Sequence, residues 1–343
     1  MILQGETLND GAEVSGALER VAADALTVRR RRCGKGWMYF DHRGRRIRDQ
    51  NTLARIRSLG IPPAYRDVRI APDERAHLQA VGRDAQGRLQ YVYHPDWKRV
   101  RDHRKVEHLA ALTAALPRLR RRVAADLRRA SLDRRKALAA VVALIDRTHI
   151  RVGCEGYVHT GRSRGAATLL KRHVCIEGPR LSLSFLGKRR QPVACDLTAP
   201  ALASALRELG SLPGARLFQY RDGTGRVRRV TAGDVNAYLR DIVQAPVTAK
   251  DFRTLAATAV AAERLAAIEP AASESGRNRQ LAPVMREVAQ LLANTPAVVR
   301  TSYVHSRLVT VFLDGELPAL WAASRPSRLR SRAETLVAAL LSE

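Results

Sequence analysis

Through Trp97 the apolar and polar positions alternate in short runs, and beyond it the repeat lengthens to that of a helix. In "GWMYFDHRGRRIRD" and "GRDAQGRLQYVYHPDW" aromatic residues alternate with polar ones. Turn residues fall at His42-Arg43-Gly44 and Ala85-Gln86-Gly87, so both stretches predict hairpin strands. A helix, "QNTLARIRSLG", is expected between them. After Trp97, "VEHLAALTAAL", "LRRRVAADLRRASL" and "RKALAAVVALIDRTHI" repeat apolar residues at i, i+3 and i+4, which predicts helices.

Residues 173–197 interrupt the helical pattern with three short β segments, "HVCIEG", "RLSLSFLGK" and "RQPVACDL", with a turn at Gly187-Lys188. A second hairpin is expected in "RLFQYRDGTGRVRRV", where "RDGTG" supplies the turn. The remainder reads as helical: "TAGDVNAYLRDIV" with Thr231 as N-cap, "TAKDFRTLAATAVAAERLAAI", "LAPVMREVAQLLA" and "RAETLVAALLSE". The expected class is α+β. Residues 1–30 form a weakly ordered leader with a short helix, "EVSGALERVAADAL". Residues 31–103 form a small β-rich domain, and residues 104–343 a mostly α-helical domain carrying a small antiparallel sheet. The boundary falls in the charged run "KRVRDHRKV".

A chain of 343 residues with 45% hydrophobic composition can bury a core in each of two domains. Cys33, Cys154, Cys175 and Cys195 show no metal or redox spacing and read as buried thiols in a reducing compartment. The N-terminus has no continuous apolar core, and no segment reaches about 18 uncharged apolar residues, so neither secretion nor membrane insertion is expected. That makes the expected location cytoplasmic. Charge changes the picture most: 60 Lys+Arg against 33 Asp+Glu leave a net +27. An excess of that size attracts polyanions, with nucleic acid the leading partner. The basic stretch 98–136 either skirts an anion or forms a solvated helix face.

No zinc-protease, paired Cys/His or calcium-loop spacing is present, nor either glycine-rich nucleotide loop, so the expected chemistry uses no nucleotide, no cofactor and no required metal. Phosphoryl transfer on those terms needs cations and neutral donors for the nonbridging oxygens, a nucleophile and an acid for the leaving alkoxide. Arg151 lies where an apolar helix is expected to end at Gly153. Lys188 sits at a hairpin tip. Arg253 opens an apolar helix, where a guanidinium needs anionic company such as Asp251. Asn294 follows "VAQLLA" as a helix terminator, and Tyr303 lies in "RTSYVH". Taken singly, each has an ordinary structural explanation.

Taken in order, Arg151, Lys188 on a hairpin, "KDFRT", and Asn294 nine residues before Tyr303 resemble the bacterial, poxvirus-like type IB DNA topoisomerases. "YFDHRGRRIRD", "ARIRSLGIPPAYRDVRIAP" and "GRDAQGRLQYVYHP" look like that family's DNA-clamping domain, and "NTPAVVRTSYVH" like its tyrosine helix. The resemblance covers about residues 30–320. It implies that Tyr303 attacks a DNA phosphodiester to form a 3′-phosphotyrosyl link. Arg151, Arg253 and Asn294 then bind nonbridging oxygens, and Lys188, assisted by Arg151, protonates the leaving 5′-oxygen. Religation needs no ATP, and the partner is double-stranded DNA clamped by a nucleoid-associated monomer. Gln90, Tyr91 and Tyr93 correspond to a strand that enters the major groove, and Tyr157 to a further DNA contact.

The chain departs from the family at Asn294, where some relatives carry histidine, and at Cys154 and Gly156, which replace lysines of the poxvirus enzymes. Cleavage-sequence preference therefore does not transfer. A tyrosine recombinase shares the chemistry, but its histidine in HxxR is Lys250 here. A non-enzymatic architectural DNA-binding protein is the alternative from another class.

Overall fold

The computed structural model describes residues 18–34, 36–156, 158 and 163–342. They form two compact units, the first ending at Arg104 and the second beginning at Lys105. The class is α+β.

In the first unit five antiparallel strands, β1 (Val28–Cys33), β2 (Gly36–Phe40), β3 (Arg66–Ile70), β4 (Leu78–Arg83) and β5 (Leu89–Tyr93), are ordered β2-β1-β3-β4-β5. Helix α1 (Gln50–Ser58) begins at Asp49, whose carboxylate accepts from the Thr52 amide, and buries Ile56 among Val28, Val68, Ile70 and Ala80. β3 escapes the sequence pattern because "RDVRI" carries only two inward apolar residues, Val68 and Ile70. Two of its positions are arginines. Arg30 on β1 lies over the Trp37 ring at 4.0 Å and donates to the carbonyls of Ile61, Pro62 and Tyr65, so a strand cation pins the segment that leads into β3.

Residues within the expected leader are already part of the fold. Leu18, Leu26 and Val28 are buried, and Glu19 exchanges backbone bonds with Arg75 and His77. Of the helix expected over 13–26, the described part contains only a 3₁₀ turn at Ala23–Ala25. The apolar residues of that stretch pack on the sheet instead.

Three hairpin turns share one five-residue solution: "DHRGR" at 41–45, "DAQGR" at 84–88 and "DGTGR" at 222–226. In each, the glycine amide donates to the aspartate carbonyl, and the aspartate Oδ1 accepts two further turn amides. The glycines at 44, 87 and 225 have φ of +76°, +74° and +77°, a left-handed geometry that other residues adopt only with strain.

The second unit comprises α2 (Trp97–Leu127), within which the chain passes from one unit to the other, α3 (Arg134–Thr148), the sheet β6 (Val174–Glu177), β7 (Arg180–Leu186) and β8 (Pro192–Thr198), and α4 (Pro200–Gly210). There follow the hairpin β9 (Gln219–Arg221) and β10 (Val227–Arg229), then α5 (Ala232–Val243), α6 (Ala249–Ala266), α7 (Glu274–Leu291), α8 (Ser306–Leu313), α9 (Leu317–Ala323) and α10 (Arg332–Leu340). Two apolar clusters meet on α6. Ala249, Phe252, Leu255 and Ala259 belong to the first, and Ala257, Ala261, Ala262 and Leu265 to the second. Small side chains around the whole circumference let neighbouring helices close on α6 from several sides.

Arg120 of α2 joins three helices. Its guanidinium donates to Asp146 of α3, to Glu334 of α10 and to the Leu329 carbonyl, which satisfies Nε and both terminal nitrogens. The cysteines are free, but they are not the buried thiols expected: Cys33, Cys154 and Cys175 are exposed and Cys195 is half-buried. The first three sit on solvent-facing strand positions or a loop, and Cys195 packs against the core from β8.

Candidate active site

The five residues singled out on α3–β8, α6 and the chain after α7 come together in the second unit. Arg151, Lys188 and Arg253 line one cleft of about 250 Å³. Arg151 Nη2 donates to Asn294 Oδ1 at 3.3 Å, and the Arg253 guanidinium lies 5.4 Å from the centre of the Tyr303 ring.

Each is held by a specific local device. Helix α3 ends at Thr148 rather than at Gly153, because His149 takes a left-handed conformation (φ 55°) and its amide closes the last turn on Ile145. Arg151 follows immediately, and its own carbonyl accepts from the Ala166 amide. A Cβ on Gly165 would lie 2.3 Å from that carbonyl oxygen and 2.5 Å from the Gly153 nitrogen. Backbone against backbone, the two glycines fix the segment that carries Arg151.

Lys188 is exposed at the β7–β8 tip, where Arg189 and Arg190 both have φ near 59°. Two successive non-glycine residues in that region cost about 1–2 kcal/mol each. The strain lies beside the one lysine that faces the cleft.

Arg253, on α6, is 4% exposed and makes no ion pair among the described residues. Asp251, its expected partner, instead accepts from the amide and hydroxyl of Thr248 in a capping box. Arg253 Nη1 donates to the His149 carbonyl and Nη2 to the Leu292 carbonyl at 2.7 Å. Both acceptors cap helix C-termini, where the aligned peptide dipoles carry partial negative charge. Charge-assisted bonds of about 1.5–3 kcal/mol each offset a desolvation cost of several kcal/mol, without neutralising the cation.

Asn294 stands just beyond α7, which ends in a Schellman arrangement: the Ala293 amide donates to Gln290 and the Asn294 amide to Ala289. Ala293 occupies the left-handed position that usually falls to glycine (φ 45°). With Oδ1 taken by Arg151, the Asn294 amide turns Nδ2 the other way, where it is buried without a partner. Arg253 Nε is buried and unpartnered as well.

Tyr303 ends a single π-turn, Val299–Tyr303, closed by the Val304 amide on the Val299 carbonyl at 2.9 Å. Such turns are rare and recur at functional sites. Burial pushes the Tyr303 phenol up, but the Arg253 guanidinium, then Arg151 and the Asn294 amide outweigh it and hold the phenol below its ordinary range. His149, beside Arg253, is held below the usual histidine range by burial first, and is therefore neutral near pH 7.

Three of the residues expected to touch DNA, Gln90, Tyr91 and Tyr93, belong to the first unit. In the first unit Tyr91 and Tyr93 are 42% and 46% exposed on one face of β5, stacked on each other at 6.3 Å, and Tyr93 stacks on Trp97 at 6.3 Å. Gln90 points to the opposite face and donates to Asp84 at 2.8 Å, so the three do not form one continuous surface. Tyr157 lies outside the described residues. No residue type marks the carbonyls that hold Arg253, and no pattern marks Thr258, which touches the Tyr303 turn.

A half-buried tyrosine lies beside two arginines and an amide on a helical unit that carries a small sheet. Residues 94–311 match the family model described as eukaryotic DNA topoisomerase I, catalytic core, and residues 36–84 match that of the bacterial DNA topoisomerase IB N-terminal domain. The first match spans more than half of the chain, which therefore belongs to the type IB DNA topoisomerases, isomerases that act on DNA. DNA topoisomerase 1B of Acanthamoeba polyphaga mimivirus is 27% identical over 286 residues, covering 81% of this chain and 84% of the viral protein.

Proposed function

We propose that Tyr303 is the nucleophile of this topoisomerase, and that it relaxes supercoiled duplex DNA through a 3′-phosphotyrosyl intermediate without ATP or a required metal. Tyr303 Oη attacks phosphorus, the bond from phosphorus to O5′ breaks, and the phenolic proton leaves to solvent. Lys188, assisted by Arg151, delivers a proton to O5′. Arg151, Arg253 and Asn294 bind the nonbridging oxygens as charge gathers on them. Religation runs the same steps backwards, and the cut strand rotates between them.

The observation that carries this reading is the pair of buried, unpartnered donors, Arg253 Nε and Asn294 Nδ2, on side chains that also act on the Tyr303 phenol. Buried donors without partners are costly, and a phosphate oxygen would satisfy both. A net charge of +27 supports a polyanionic substrate. In this reading the substrate is a DNA duplex, the location the nucleoid in the cytoplasm, and the chain a monomer that clamps DNA. Gln90, Tyr91, Tyr93 and Tyr157 are proposed DNA contacts, Tyr91 and Tyr93 through their exposed rings.

Relaxation of supercoiled plasmid in EDTA without ATP tests the overall reaction, and wild-type protein that binds the plasmid yet leaves it supercoiled would overturn it. Tyr303→Phe is expected to bind DNA and form no covalent adduct. An adduct formed at the normal rate would mean a different nucleophile.

A further inference from the structure

Thr258 lies on α6 five residues after Arg253 and is fully buried at 0% exposure. Its hydroxyl sits against the end of the π-turn. Oγ1 accepts from the His305 amide at 3.1 Å and has both the Tyr303 carbonyl, at 3.3 Å, and the Thr254 carbonyl, at 2.9 Å, within reach of its single proton. The two anchored peptide groups flank Val304, the residue at which the chain leaves the π-turn in an extended conformation.

α6 therefore grips the tyrosine segment at two points. Arg253 meets the ring, and Thr258 meets the backbone one residue to either side of Val304. A threonine facing solvent or lipid would have its hydroxyl satisfied by Thr254 alone, in the usual bond back to the preceding turn. Here the lone pair and part of the proton go to another segment.

We infer that Thr258 is a positioning residue for the transesterification: its hydroxyl docks the π-turn on α6 and so sets where the Tyr303 phenol lies relative to Arg253 and Asn294. The inference rests on the assignment of Tyr303 as nucleophile. A shift of the π-turn by about 1 Å would remove the phenol from its in-line position, an error that costs on the order of 10²-fold in rate. It would also carry the phenol away from the cations that favour its ionised form.

Single-turnover cleavage of a duplex by Thr258→Val, which keeps the shape and removes the hydroxyl, is expected to slow by roughly 10- to 100-fold. DNA affinity should stay unchanged, and the pH at which cleavage levels off should move upward. Thr258→Ser should restore rate and profile. Because a buried substitution can harm folding, Thr258→Ser is also compared with Thr258→Ala, which lacks the same methyl and differs from it only in the hydroxyl. Wild-type rate and pH profile in Thr258→Val, or equal impairment of the Ser and Ala variants, would overturn the inference. If Tyr303→Phe is inert in the same assay, that failure belongs to Thr258 alone. If Tyr303→Phe forms an adduct, the nucleophile assignment fails first.

Discussion

The bond from Arg151 Nη2 to Asn294 Oδ1, 3.3 Å long, decides which end of the amide is left free. Asn294→Ala removes the donor, and loss of one such donor costs on the order of 10²- to 10³-fold in rate. Asn294→Asp should be worse, since its carboxylate pairs with Arg151 and repels phosphate. Single-turnover cleavage by the two variants checks this, and an Asp variant as fast as wild type would remove Asn294 from the site.

Arg253 is the strongest of the groups that hold the Tyr303 phenol below its ordinary range, burial acting against it. If the phenolate is the attacking form, wild-type cleavage should rise with pH and level off below about pH 10, the ordinary tyrosine value. Arg253→Met should lower the maximum and shift the plateau to higher pH. A rate–pH profile that keeps its midpoint in Arg253→Met would show that the guanidinium does not act on the phenol.

The Lys188 side chain makes no hydrogen bond or ion pair among the described residues, as expected of a group whose target arrives with the substrate. Lys188→Ala should cleave ordinary DNA slowly and recover on a substrate carrying a 5′-phosphorothiolate at the scissile position, because sulfur leaves without a proton. Rescue absent here but present in Tyr303→Phe would reassign the acid.

On α10, Glu334 is a test of the framework. Burial raises its carboxyl, but the Arg120 hydrogen bonds and charge outweigh that and hold it below the usual glutamate range. The stabilisation is thus fully present above the unfolded value of about 4.3 and is lost as pH falls through the lower folded value. Because Arg120 keeps Asp146, Glu334→Gln should cost only about 1.5 kcal/mol at pH 7, and it should flatten the acid limb of a plot of stability against pH. Urea denaturation between pH 7 and 3 measures both. An unchanged acid limb would place the acid sensitivity elsewhere.

The order and context of Arg151, Lys188, Arg253, Asn294 and Tyr303 single them out in the sequence, and these side chains are neighbours in one unit, which is what the proposed site requires. The surroundings were not legible, for physical reasons. Arg253 was expected to seek a carboxylate, yet it takes the His149 and Leu292 carbonyls, and a backbone acceptor has no residue type to mark it. Helix α3 was expected to run to Gly153, because nothing in "RTHIRVG" marks His149 as the left-handed residue. Thr258, alone among alanines, reads as packing. Leu26 reads as part of a leader because the residues it packs on, Leu78 and Val81, are some fifty residues away along the chain.

The "DxxGR" turns bear on how this protein meets a polyanion. A strongly basic chain still needs aspartates, since they are good turn formers, and each one shown to DNA would repel it. At 41, 84 and 222 the carboxylate folds back on its own turn amides and a nearby arginine, Arg45, Arg88 or Arg228. The hairpins thus use acids as internal hardware while hiding their sign from an approaching strand. Replacing any of these aspartates with an outward-facing glutamate would keep the formal charge at +27 and yet weaken attraction to DNA, because what the strand senses is where the acids point, not how many there are.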